Sequence, residues 1–342
     1  MPMSFDIRGP QQQNVPVRQP RLSLPRGPFV PVWVMAAALF AASPLIAPGS
    51  LSVSALQSML PFAAILAIAA LGQSFVISQG GIDLSVPGAM ALAAVFATKV
   101  PQTTGMPVPL AAALGLLAGA VGGLVIGIAV VRFGIAAFVV TLAMNAVLIG
   151  AVMQLSKGFP GSAHRRFSEF AAGSLWIVPN LLIIAVVLVA VTQWLRRRSV
   201  AGRRFMAVGA SSSAARLLGV RTSTYQISAY VVAGLLYALA GLLLAGYLRT
   251  PDILLGNTYQ LSSIAAVVLG GSLLTGGVSS AAATGGAALF LTQLNQVVLA
   301  AGATTSVQLL VQAAVLALAV ILRRVPFGAI SRSFKATGSP AR

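Results

Sequence analysis

The chain of 342 residues is 58% hydrophobic and only 8% charged, with a mean hydropathy of +0.93 and a net charge of +18. No soluble domain buries that much apolar surface, so a multi-span membrane protein replaces the two soluble domains that length alone would suggest. The positive balance does not imply nucleic acid, because the arginines sit in short segments between apolar stretches, and the lack of cysteine excludes thiolate metal sites and hides the redox compartment.

Residues 1–28 are polar, Pro/Gln-rich and basic (Arg8, Arg18, Arg21, Arg26) and read as a disordered cytoplasmic tail. Ala41-Ala42-Ser43 loosely resembles a signal-peptide cleavage site, but the long polar region before it favours an uncleaved first span. Apolar stretches follow at 29–47, 54–78, 86–100, 107–131, 135–155, 175–195, 225–247, 258–274, 278–300 and 304–322. They predict an all-α, polytopic membrane helix bundle of about ten transmembrane helices within residues 29–325, followed by a cytoplasmic tail, 326–342. The third and eighth stretches are short, which leaves eight to eleven spans open. With the N-terminus inside and the spans alternating, 17 of the Lys and Arg residues fall on the inner side and 5 on the outer, the positive-inside bias. Both termini are then cytoplasmic.

Two stripes of small residues indicate how spans pack. Gly115, Gly119, Gly123 and Gly127 recur every fourth residue in the fourth span, and Gly234, Ala238, Gly241 and Ala245 line the seventh. Such spacing stacks them on one face, where backbones approach closely.

No catalytic set is present. The single His164 sits beside Arg165 and Arg166 in a polar loop and cannot build a zinc site alone. No GxxxxGK[ST] phosphate loop occurs. The four acidic residues (Asp6, Asp83, Glu169, Asp252) leave little for a carboxylate proton relay, which argues against an ion-coupled secondary transporter. A polytopic membrane enzyme is disfavoured for want of a nucleophile or acid/base pair.

Asp83 stands out, in Gly80-Gly81-Ile82-Asp83-Leu84-Ser85 between the second and third spans. The paired glycines permit a tight turn, and Asp83 and Ser85 can cap the following helix. The alternative is a part in gating. The polar groups inside spans that could line a solute path include Gln73 and Ser74, Thr141 and Asn145 on one face with Phe138, and Gln293 and Asn295. An aromatic ring beside amides and hydroxyls suits a sugar, and interhelical hydrogen bonding is the competing use.

Segment 196–224 is basic and polar, with Arg196, Arg197, Arg198, Arg203, Arg204, Arg216 and Arg221 and no acidic residue. Its arginines read mainly as topology anchors. Within it a short helix can start from Ser211 as N-cap and end at Gly219 as C′. At about eight residues it is too short to stand alone and must dock on something. Ala214, Ala215, Leu217 and Leu218 supply its apolar contact.

Three runs carry a family resemblance. Residues 71–86, LGQSFVISQGGIDLSV, resemble the signature of sugar-importing ABC permeases of the ribose/xylose/galactose class. Phe138-Val139-Val140-Thr141-Leu142 resembles their F-I-V-T-L, and residues 261–277, LSSIAAVVLGGSLLTGG, are similar to a third run of theirs. Together they cover about 50–325 in the expected order. Pro87 stands where the family often has Gly, Ser211 where it usually has Asn, and Ser212 and Ser213 at positions often acidic.

The resemblance implies a permease subunit of an ABC importer for a monosaccharide or small polyol, in the bacterial inner membrane. The helix that includes Ser211, Ala214, Ala215, Arg216, Leu217, Leu218 and Gly219 would be the coupling helix on a cytoplasmic ABC ATPase. Other partners implied are a periplasmic sugar-binding protein and a second permease copy or sister permease. ATP and Mg would be bound by the ATPase, with no cofactor in this chain. An amino-acid or nucleoside permease of the same superfamily is the alternative.

Overall fold

A computed structural model describes residues 29–324; residues 1–28 and 325–342, and with them the two predicted tails, lie outside the described residues. The described chain is helical apart from a two-residue antiparallel hairpin. Its elements are α1 (Val30–Ile46), α2 (Val53–Ser78), α3 (Val86–Thr104), α4 (Val108–Phe133), α5 (Ala137–Ser156), α6 (Arg165–Ala172), β1 (Ser174–Leu175), β2 (Val178–Pro179), α7 (Asn180–Arg198), α8 (Val200–Ala210), α9 (Ser212–Leu217), α10 (Thr222–Leu248), α11 (Asn257–Leu269), α12 (Ala281–Ala300) and α13 (Thr305–Arg324).

Local chemistry sets the ends of these helices. The Ser52 hydroxyl accepts from Ala55 N–H at the start of α2, Ser199 from Gly202 N–H at α8, and Ser280 from Ala283 N–H at α12. Proline begins α1, α3 and α4, where its missing N–H costs nothing. Left-handed Gly105 and Gly134 end α3 and α4. Among the described residues five helices, α2, α4, α5, α7 and α10, are long and apolar enough to cross a membrane. The other predicted stretches correspond to α1, α3, α11, α12 and α13.

The centre of the bundle is α2, buried almost continuously from Ala63 to Ser78, with α10 beside it. Both small-residue stripes work as packing surfaces. A Cβ on Gly119 would stand 2.6 Å from that of Ala238, and one on Gly127 would stand 3.1 Å from Ile227 Cα, so α4 and α10 meet backbone to backbone. Gly115 instead faces Ala93 and Phe96 of α3, and Gly241 faces Met90 of α3.

Two expectations change, for the eighth stretch and for the basic segment. The eighth stretch is not helical to residue 274: α11 ends at Leu269, and residues 270–280 form an irregular segment rich in glycine. The third span begins at Val86 as expected, and residues 79–85 before it are non-helical yet run back into the bundle. The basic segment 196–224 is not a loop. α7 continues through Arg198, and Val200–Ala210 form a further helix, α8, held by burial of Phe205 and Val208.

Candidate functional site

The signature segment poses an electrostatic problem. Ile82, Asp83 and Leu84 are non-helical backbone beside α2, inside a membrane protein, where each unpaired N–H or C=O costs several kcal/mol by transfer estimates, about 2–7. Side chains from surrounding helices solve it. In the amide orientation that satisfies its neighbours, Gln73 of α2 accepts from Asp83 N–H (3.2 Å) and donates to Asp83 C=O (3.1 Å), as a neighbouring strand would. Gln73 also bonds the Tyr237 hydroxyl of α10 at 2.7 Å. Thr141 Oγ1 of α5 lies 3.5 Å from Ile82 C=O, and Gln260 Nε2 of α11 donates to Leu84 C=O at 3.2 Å. Asn145 Oδ1 accepts from Gly88 N–H at 2.8 Å, in the first turn of α3.

Asp83 is fully buried, and its Oδ1 accepts from Ser85 N–H (2.8 Å) and Ser85 Oγ (2.6 Å). Ser85 occupies the N-cap position of α3 but spends its hydroxyl on Asp83, so no side chain caps that helix. The expectation that both residues cap α3 thus holds only as an Asx turn around Ser85. Gly80 takes the left-handed conformation at φ 80°, and a Cβ on Gly81 would stand 2.5 Å from the Tyr230 hydroxyl.

Below this segment, the end of α2 is clasped by the basic region. Gln79 Nε2 donates to Phe205 C=O of α8 at 3.0 Å, and the rings of Phe75 and Phe205 meet edge to face at 5.5 Å. The Gly277 N–H donates to Ser78 C=O at 3.0 Å, and a Cβ on Gly276 would lie 2.8 Å from Gly209 C=O. Arg196 is buried, not an anchor at the surface. Its guanidinium lies 4.3 Å over Phe75 and donates to Ser74 Oγ and Ser279 Oγ, each at 2.9 Å. It shares a buried face of α7 with Thr192, one turn earlier. One cation thereby ties α7 to α2 and to the segment before α12.

α9 follows α8 directly. Ser211 Oγ accepts from Ala214 N–H at 3.3 Å, and Gly219 at φ 75° closes the helix, with Val220 N–H donating to Ala215 C=O. Ala215 is buried against the chain itself, whereas Leu217 and Leu218 are 90% and 82% exposed. Arg216 and Ala214 are exposed as well. Two residues along a helix turn a side chain by about 200°, which sets Leu217 opposite Ala215.

The residues suggested for a solute path therefore separate. Gln73, Thr141 and Asn145 serve the backbone of the signature segment, and Phe138 is 58% exposed on α5. Asn295 lines a cavity of about 650 Å³ between α2, α11, α12 and α13. Gln293 bonds Ser43 of α1 at 2.9 Å. His164 is the N-cap of α6, its Nδ1 accepting from Arg166 N–H. Sequence reasoning missed Gln260, Tyr237 and Phe205, and it misplaced Arg196. The spacing of Phe205 and Val208 in α8 was the only legible signal among these.

Residues 55–321 match the family described as branched-chain amino acid transport system / permease component. The chain belongs to this family. Of its relatives, a probable ABC transporter permease protein of Sinorhizobium fredii is 38% identical over 60% of this chain and 62% of its own length. The ribose import permease protein of Escherichia coli is 32% identical over 81% of this chain and 88% of its own. The ribose import permease protein of Bacillus subtilis is 32% identical over 87% and 92%. No solved structure matches the chain. The permease is thus the membrane component of an ABC importer, a multi-pass inner-membrane subunit that works with an ATPase and a binding protein. Its signature segment, basic region and glycine-rich turn all lie within the matched residues.

Proposed function

We propose that this permease carries a monosaccharide across the inner membrane, with α9 as the coupling helix on a cytoplasmic ABC ATPase. The observation that carries the reading is a short, doubly capped helix that projects Leu217 and Leu218 away from its own chain. An exposed leucine pair on a six-residue helix calls for a partner groove. The region that bears α9 is also the most arginine-rich part of the described chain, which supports a cytoplasmic location, and with it ten spans and both termini inside. The relatives matched over most of their length are named for ribose, which supports a small sugar over the branched-chain amino acids of the family description.

Mechanically, a push on α9 passes through Ser211 to α8. From there it reaches the end of α2 through Phe205, Gln79 and Phe75, and the glycine segment 270–280 through Gly209 and Gly276. Closing of the ATPases would shift this assembly, switch the bundle between inward- and outward-facing states, and be reset by hydrolysis. A second permease, identical or a sister chain, would complete the pathway, and a periplasmic binding protein would deliver the sugar.

The test is mild-detergent purification of the tagged chain from its host with mass spectrometry of its companions. An ABC ATPase together with a solute-binding protein that binds a monosaccharide is the expected result. A reproducibly lone chain, under conditions that hold a known importer together, would contradict the reading.

A further inference from the structure

Two cavities meet along α7. One, of about 420 Å³, is lined by Gln193, Trp194, Arg197 and Arg198, and the other, of about 250 Å³, lies between α1, α2, α7 and α12. Val186, Val189 and Ala282 line both, so the two form one continuous groove. Trp33 of α1 walls its far part, and small residues such as Ala63 and Ala67 of α2 floor it. A Cβ on Gly285 of α12 would meet only Val189, at 3.3 Å, which leaves the space beside it open.

The groove is graded along its length. Leu182, Val186, Val189, Gln193 and Arg197 recur every third or fourth residue and so share one face of α7. That face runs from apolar side chains through an amide to a cation. Gln193 Oε1 accepts from Ala282 N–H at 3.3 Å, and its Nε2 has no partner among the described residues. Arg197 and Arg198 are exposed, and neither has a carboxylate partner among the described residues. Trp194, 62% exposed one turn before Arg198, has the place of an interfacial aromatic. At 1.5 Å per residue Val186 lies roughly 16 Å along α7 from Arg197, the depth of one leaflet of a hydrocarbon core about 30 Å thick.

A phospholipid presents matching groups in the same order: acyl chain, ester, phosphate. Paired guanidinium groups beside an apolar groove between spans suit an anionic headgroup. The chain's own residues 1–28 carry four arginines and one aspartate, so charge opposes their seating beside Arg197 and Arg198. We propose that this groove binds one anionic phospholipid of the inner membrane. Its phosphate rests on Arg197 and Arg198, Gln193 donates to an ester oxygen, and an acyl chain lies along α7 as far as Trp33. The site is independent of which solute the permease carries.

The test offers delipidated, full-length permease in mild detergent either dioleoyl phosphatidylglycerol or dioleoyl phosphatidylcholine, and native mass spectrometry counts the lipid retained. The two lipids share acyl chains and phosphate but differ in net charge. The wild type should keep one phosphatidylglycerol per chain, at least fivefold in preference to phosphatidylcholine. Arg197→Gln with Arg198→Gln should lower phosphatidylglycerol to the phosphatidylcholine level. Ala282→Leu, which fills the space common to both cavities, should cut retention of phosphatidylglycerol at least fivefold. Removing two other exposed arginines, by Arg204→Gln with Arg216→Gln, should leave retention as in the wild type. Equal retention of the two lipids by the wild type would overturn the proposal, and so would undiminished phosphatidylglycerol on the Arg197/Arg198 variant. Equal loss from both arginine pairs would overturn it too, because it would mark a diffuse effect of charge. If Ala282→Leu is not monodisperse, the two arginine pairs still decide, since all four side chains are exposed.

Discussion

Arg196 and Ser74, separated by 122 residues in sequence, are joined by a buried 2.9 Å hydrogen bond between α7 and α2. The same guanidinium bonds Ser279 and stacks over Phe75, so one side chain uses two fork nitrogens and its planar face. A lysine is a point charge on a flexible stem and cannot make all three contacts. Arg196→Lys should therefore cost about 1–3 kcal/mol, read as a lower thermal midpoint in detergent, and should slow uptake. Unchanged stability and uptake would show that the bridge is incidental.

Gln73 matters because it alone pairs both backbone groups of Asp83. Gln73→Leu keeps similar volume but leaves that N–H and C=O unsatisfied at membrane depth. The expected loss is about 2–5 kcal/mol, seen as reduced accumulation of folded protein and a lower midpoint in thermal unfolding. Gln260→Leu, which frees only Leu84 C=O, should cost less. Equal effects from the two would mean that the amide pairing is not what holds the segment.

The glycines of α4 differ in what they face. Gly119→Val would force a branched side chain into Ala238 and the α10 backbone, and should prevent stable folding. A Cβ on Gly122 would meet only Leu148 Cδ2, at 3.9 Å, and one on Gly150 of α5 would meet nothing within 4 Å. Gly122→Ala and Gly150→Ala should accumulate as the wild type does. Monodispersity in size-exclusion chromatography would separate the two classes.

What the sequence revealed follows from which forces leave a local trace. Apolar length located α1 to α5, α7 and α10 to α13, and small residues every third or fourth position marked α4 and α10 as packing surfaces, because both signals repeat along one element. Sequence likewise placed Ser211 and Gly219 at the ends of α9, since caps are local chemistry. Arg196 was invisible because it opens a run of three arginines, and only the register of α7 tells it from its exposed neighbours Arg197 and Arg198. The role of Gln73, Thr141 and Asn145 was equally hidden. Each answers a backbone group that lies between 10 and 59 residues away, and no local pattern requires it. The break after Leu269 was masked by the apolar composition of the residues that follow.

The central claim is that α9 transmits force from an ATPase through its exposed leucines. Leu217→Asp with Leu218→Asp tests it most directly, because both side chains point away from the chain and neither supports its fold. The measurement is retention of the ATPase on the tagged permease, with solute uptake in the same cells. The account predicts a correctly inserted, monodisperse permease of unchanged thermal midpoint that has lost at least nine-tenths of its bound ATPase and its transport. A variant that keeps its ATPase and carries solute at the wild-type rate would contradict it.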